Sequence, residues 1–395
     1  MIEQIFTANQ ELHDETIAKV MQQQHLTGLA EGALGRLDEM VLKLASHQQN
    51  DCPGIKHIWV SLFAADHGVA MEDVSEFEQN QTGKWVEDLC QGKAVTNALL
   101  NDDHASFEIV DVGLKEPISE CPNLVQARIA AGTKNFVNAP AMTQAQLIQA
   151  LEVGMAAAER AKKSGADLFV SGELGVANTT SALAMTAVLS GKPVMALLEI
   201  GRKRVMRSEQ HKAELIDKAI ELHQESLKSP LKILQHLGGF EAAALCGAYI
   251  RCAQLGLTVV VDGLMATVAA WIADLVSRND QLLHCKSTDD LMDLGQYSVP
   301  ETLFCICGNC PRLVEWCFFA HQSAENFHAL VLEILAVDPI LQFDMKLGQG
   351  SGALLVVPLL KQACAVHSHL AKQIPPEMLV TEEANGVEDD CPFTY

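Results

Sequence analysis

Positive charge is scarce in this 395-residue chain: 28 Lys and Arg stand against 50 Asp and Glu, a formal net charge of −22. Holding a polyanion across a broad face needs a cationic surface, so duplex nucleic acid and anionic membrane are excluded as partners. A small anionic ligand stays open, because a few local donors outweigh a distant negative field. Neither a Gly-Lys-Ser/Thr phosphate loop nor a Gly-x-Gly-x-x-Gly fingerprint occurs, which removes support for nucleoside-triphosphate and nicotinamide-dinucleotide chemistry. Internal repeats are missing as well. So is an uninterrupted apolar span of membrane length: the most apolar region, 242–276, is broken by Arg251 and Asp262. No secretory signal opens the sequence, and its twelve cysteines are therefore expected as reduced thiols in a cytoplasmic protein.

Apolar residues make up 49% of the chain, enough for one large core or two. Strand-like runs are expected at 57–64, 107–112, 167–171, 193–200 and 257–261. Helical patterns cover 2–47 and 85–100, and Thr143 is placed to cap a helix that runs to about residue 163. This alternation predicts an α/β domain of three layers with a mainly parallel sheet.

Glycines and carboxylates gather at the ends of the predicted strands, where a parallel sheet forms its ligand crevice. Asp66 and His67 follow the first strand; a helix-capping Asp beside a loop-bonded His is the alternative reading. The stretch 170–180, VSGELGVANTT, ends a strand, turns on Gly172 and Gly175, and offers Asn178, Thr179 and Thr180 before an apolar run. That order presents backbone N–H groups and a helix dipole to an anion. Glu173 at the mouth repels a bare anion, so it points to a ligand carrying sugar beside phosphate. An ordinary strand-to-helix turn with Thr caps would give the same pattern. Asp262 suits ribose hydroxyls, a reading favoured slightly over a simple Asp-Gly turn. Arg202, Lys203 and Arg204 form either a phosphate site or a solvated cluster, the commoner meaning. Cys305, Cys307 and Cys310 fit a buried strand better than a zinc site, because no second knuckle matches them. The loop from Leu347 to Gly352, LGQGSG, must bring backbone very close to a ligand or a neighbouring helix.

Eight segments stand in a recognisable order: FAADHGVA at 63–70, DVG at 111–113, PAMT at 140–143, GELGVANTT at 172–180, GGFE around Gly239, VVDG ending at Gly263, HQSAE at 321–325 and LGQGSGA at 347–353. Together they resemble the nicotinate-nucleotide:dimethylbenzimidazole phosphoribosyltransferase family across roughly 58–364. The resemblance implies a homodimeric enzyme with a Rossmann-like core and a smaller helical domain formed from the N-terminal and C-terminal segments. Its expected divisions are a helical arm at 1–55, the α/β core at 56–276, a cysteine-rich insert at 277–320, a C-terminal helical part at 321–380 that completes the site, and a flexible acidic tail at 381–395.

The reaction so implied moves the 5-phosphoribosyl group of nicotinate mononucleotide onto dimethylbenzimidazole. It inverts the anomeric carbon and yields α-ribazole phosphate and nicotinate, a step of cobalamin lower-ligand assembly that needs neither metal nor cofactor. By resemblance, Gly175, Asn178, Thr179, Lys212 and Ser323 hold the phosphate, while Glu173 and Asp262 face the ribose. Ser75, Phe77, Leu347 and Gln349 frame the acceptor base. The chain departs from the family at the catalytic carboxylate: Gln349 stands where the motif has Glu, and an amide cannot take a proton at pH 7. Glu173 is the neighbouring carboxylate nominated to replace it. Two other outcomes follow from the same departure, transfer to another aromatic acceptor, or a non-catalytic paralogue that binds the nucleotide. Further departures are Arg202 to Arg204 after Gly201, and Asn326-Phe327 beside the Ser-Ala-Glu segment.

Overall fold

The computed structural model describes residues 5, 7–30, 32–100, 105–118, 121–201, 205–278, 312–375 and 378. Its strands are β1 (Ile58–Ala65), β2 (Ala105–Gly113), β3 (Leu124–Gln126), β4 (Leu168–Leu174), β5 (Thr258–Val261) and β6 (Cys317–Phe319). All pair in parallel within one sheet, in the order β3-β2-β1-β4-β5-β6. β1 and β4 lie side by side at the centre, with Ile58 opposite Leu168 and Ala64 opposite Leu174. From that pair the order runs outward both ways, so right-handed crossovers put the helices of the two halves on opposite faces. Every residue of β4 and β5 is buried, as strands covered on both faces require.

The chain forms two compact units. One comprises 1–12 with 55–359 and contains the whole sheet; the other comprises 13–54 with 360–395. Within the second, the helical pattern expected over 2–47 resolves into two helices, Asp14–Leu26 and Arg36–Gln48. Gly28, Gly32 and Gly35 between them all have positive φ, which ends one helix and allows the other to start. His13 caps the first by accepting from the Thr16 N–H at 3.3 Å.

Several expectations need correction. Residues 193–200 are not a strand but the helix Val194–Glu199, preceded by Pro193 at its cap. A short apolar run fits either state, and the place beside β4 is already taken by β5. The helical pattern at 85–100 divides into Gln81–Cys90 and Val95–Leu99, interrupted by Gly92 at φ +72°. Cys90 and Cys121 are joined in a disulfide, with Cα atoms 5.9 Å apart, so the expectation of reduced thiols fails for this pair. Cys246, Cys252 and Cys364 are free and buried, and burial pushes their thiols up, away from reactivity. Among the described residues one helix, Ser351–Ala371, is long and apolar enough to cross a membrane by length and composition. Lys361 lies in it and part of it is buried within the chain. The predicted basic turn at 202–204, the Cys305–Cys310 segment and the acidic tail lie outside the described residues.

Candidate active site

Where a doubly wound sheet reverses its strand order, the loops leaving the two central strands diverge and leave a crevice. Here that crevice is a cavity of about 530 Å³ at the carboxyl ends of β1 and β4, within the usual range for a small-molecule site. β4 feeds it directly. Glu173 and Leu174 end the strand, a turn follows through Gly175, Val176 and Ala177, and the helix Asn178–Ser190 begins, with residues 173–179 all on the cavity wall. Ala177 sits at φ +69°, and the first turn of that helix carries neither an acidic residue nor a side-chain cap. Asn178 and Thr180 donate their N–H groups to Gly175 O at 3.1 Å and Ala177 O at 3.0 Å, so it is the positive end of the helix dipole that favours an anion in the cavity. Lys212, from the helix Arg207–His223, and Ser323 line the same space.

Ser323 is held by a buried histidine. Its N–H donates to His328 Nδ1 at 2.9 Å, so Nε2 carries the ring proton and faces Thr267 Oγ1 at 2.9 Å. The Thr267 hydroxyl in turn donates to Gly263 O at 2.8 Å. Burial, and then His321, push the His328 pKa down to about 3, so this ring stays neutral and keeps its tautomer.

Apolar side chains line the cavity as well. Phe77 and Trp85 meet edge to face with centroids 5.2 Å apart, and Val74, Met265, Met345 and Leu347 complete the surface. Phe77 and Leu347 are exposed, as walls waiting for a ring would be. Ser75 lines the same cavity. Beside it the chain turns through Gly348, Gln349 and Gly350, at φ +69°, +63° and +72°. Gln349 is a non-glycine residue in the left-handed region, which costs energy unless its surroundings enforce it. They do so from two sides. Thr96 Oγ1 donates to Gln349 O at 2.8 Å, and Gln349 N donates to Glu173 O at 3.3 Å. Close approach also explains Gly172, where any Cβ would collide with the backbone nitrogen of Gly350.

Glu173 is the buried carboxyl of the cavity, and its Oε2 has no hydrogen-bond partner among the described residues. Burial, then the charges of Asp262 and Glu241, push its pKa up to about 8. A carboxyl near 8 is mostly protonated at neutrality yet is a competent proton acceptor close to working pH. Behind it lies a buried pair, His67 Nε2 and Glu241 Oε1 at 2.6 Å. Burial pulls His67 down, but Glu241 beside it and Asp66 outweigh this and raise its pKa overall.

The structure thus brings Ser75, Phe77, Glu173, Gly175, Asn178, Thr179, Lys212, Ser323, Leu347 and Gln349 to one cavity. Asp262 is the exception and does not line the cavity. It is buried beneath the wall, where its two oxygens accept the N–H groups of Gly350 and Ala353, each at 2.9 Å. Its work is to anchor the Gln349 turn and the start of the helix Ser351–Ala371. Asp66 and His67 also lie off the cavity, the former accepting the Lys115 N–H at 2.8 Å. Trp85, Val176 and Met265 line the cavity without having been singled out by sequence, and Glu241 was quoted only as part of a motif. A carboxylate just ahead of the apolar run 242–250 in the helix Phe240–Leu255 was the available signal for Glu241.

Known proteins resemble this chain along most of its length. A family model described as phosphoribosyltransferase matches residues 10–285 and 301–374. The chain is 40% identical over 349 residues to the nicotinate-nucleotide–dimethylbenzimidazole phosphoribosyltransferase of Pseudomonas fluorescens, covering 88% of this chain and 90% of that one. To the protein of the same name from Pseudomonas aeruginosa it is 38% identical over 340 residues, covering 86% and 88%. Among solved structures, the nicotinate-nucleotide–dimethylbenzimidazole phosphoribosyltransferase of Thermus thermophilus superposes with a TM-score of 0.76 at 30% identity, covering 89% of this chain and 95% of that one. Given a doubly wound sheet, a cavity at its switch point and likeness along most of its length, the chain belongs to the nicotinate-nucleotide–dimethylbenzimidazole phosphoribosyltransferase family.

Proposed function

We propose that this chain moves the phosphoribosyl group of nicotinate mononucleotide onto dimethylbenzimidazole, giving α-ribazole phosphate and nicotinate for cobalamin lower-ligand assembly. The observation that carries the reading is the shared cavity, which an anion-favouring helix start, a buried carboxyl and apolar side chains line together. The helix start, with Gly175, Asn178, Thr179, Lys212 and Ser323, holds the 5-phosphate. Phe77 and Leu347 flank the benzimidazole, and Ser75 meets its polar edge.

The chemistry asks little of the protein beyond alignment. The lone pair of one benzimidazole nitrogen attacks C1′ of the ribose from the face opposite the pyridinium. The bond from C1′ to the pyridine nitrogen breaks, and its electron pair neutralises that nitrogen as nicotinate leaves. The new azolium then loses its remaining N–H proton. Gln349 accepts a hydrogen bond from that N–H but cannot remove the proton, so it falls to Glu173, whose raised pKa suits it. A homodimer and a cytoplasmic setting belong to the same proposal.

The test mixes purified protein with both substrates and follows nicotinate release by chromatography. Release that requires dimethylbenzimidazole supports the proposal. No release, together with no calorimetric binding of either compound, removes it.

A further inference from the structure

Two buried threonines outside the cavity hold its two turns. Thr82 is fully buried in the helix Gln81–Cys90, and its hydroxyl accepts the N–H of Val176 at 3.1 Å. Val176 is the middle residue of the turn Gly175–Ala177, whose next residue is in the left-handed region. Thr96, also fully buried, lies in the helix Val95–Leu99 and donates to Gln349 O at 2.8 Å. Gln349 is itself left-handed between two left-handed glycines. Neither threonine lines the cavity. One short stretch, 81–99, therefore grips the turn on the donor side with one hydroxyl and the turn on the acceptor side with another.

We infer that Thr82 and Thr96 are positioning residues with divided duties, Thr82 setting the turn that receives the phosphoribosyl donor and Thr96 setting the turn that receives the aromatic base. The inference rests on the functional reading above and deepens it. Both partner groups are backbone atoms of buried residues, so losing the hydroxyl leaves a buried N–H or C=O without its bond. Both turns contain a non-glycine residue at positive φ, a conformation that persists only while its surroundings over-determine it. With one tether gone, that turn relaxes and the other does not.

The experiment uses Thr82→Val and Thr96→Val, which keep side-chain shape and remove only the hydroxyl, and Thr82→Ser and Thr96→Ser, which restore it. Thr82→Val is expected to raise KM for nicotinate mononucleotide about tenfold, the size of one buried hydrogen bond, with KM for dimethylbenzimidazole within about twofold of the parent. Thr96→Val is expected to do the reverse, and both Ser variants to recover most of the parent value. A general loss of packing would move both constants together in both variants. That result, or unchanged constants in both, overturns the inference. If a Val variant does not fold, the Ala variant at that position carries the test, since it also lacks the hydroxyl and should shift one KM and not the other. If the parent protein turns nothing over, the functional reading fails on its own. The same crossed pattern is then sought in calorimetric Kd values for the two compounds, and its absence there overturns the division of duties.

Discussion

Replacing Glu173 by Gln removes the proton acceptor we assign and leaves the side chain's shape. In the parent, a carboxyl with a pKa of about 8 is about one tenth ionised at pH 7, about half at pH 8 and about nine tenths at pH 9. The group acts in its ionised form, so activity is gained as pH rises. With both substrates saturating, kcat for transfer to dimethylbenzimidazole should climb about tenfold from pH 7 to 9 and then level. Glu173→Gln should flatten that climb and, at pH 9, lower kcat by about 10²- to 10⁴-fold, the usual worth of a general base. The assay is nicotinate release measured at each pH with buffers overlapped. The same carboxyl acts on stability with the opposite sense. Its folded pKa exceeds its ordinary value of 4.5, so its favourable contribution is full below about pH 4.5 and is lost as pH rises through about 8. The parent should therefore melt at a lower temperature at pH 8.5 than at pH 5.5, by a margin that shrinks in Glu173→Gln. A parent kcat that stays flat between pH 7 and 9, or a Gln variant that keeps the climb, would refute the reasoning.

Other substitutions separate the remaining roles. Gln349→Glu restores a carboxylate on the acceptor side and should raise nicotinate release with dimethylbenzimidazole at pH 7 by up to about 10²-fold; an unchanged rate would show that Glu173 alone suffices. Lys212→Ala should raise KM for nicotinate mononucleotide about tenfold or more and leave KM for the base unchanged, as steady-state kinetics will reveal. Asp262→Asn keeps one acceptor oxygen for two backbone N–H groups, so one loses its bond and the fold should weaken by about 1–3 kcal/mol in a denaturant titration.

Much of this architecture is legible in the amino-acid order. Thr143 and Gln146 form a reciprocal cap on the helix Gln144–Lys163, and the apolar runs near 57–64, 107–112 and 257–261 became β1, β2 and β5 because local pattern and burial agree there. Residues 193–200 misled because a short, mostly apolar run that opens on Pro193 fits the start of a helix as well as a strand. The ends of β4 and the loop around Gln349 could be matched to chemistry because each carries its own glycines. What could not be read were pairings across long separations. His67 meets Glu241 174 residues later, Thr82 meets Val176 94 residues later, and Asp262 turns towards backbone rather than ligand because of where Gly350 and Ala353 come to lie. No periodicity encodes such meetings; the order of strands in the sheet creates them.

The central claim is that one cavity holds donor and acceptor on opposite sides of the same anomeric carbon. Nuclear magnetic resonance of the product formed from nicotinate mononucleotide labelled with ¹³C at C1′ tests it directly. The label should appear in a ribosyl phosphate joined to the benzimidazole nitrogen with inverted, α configuration, in amounts equal to the nicotinate released. Retained configuration, or nicotinate released with the label in free ribose phosphate, would contradict it.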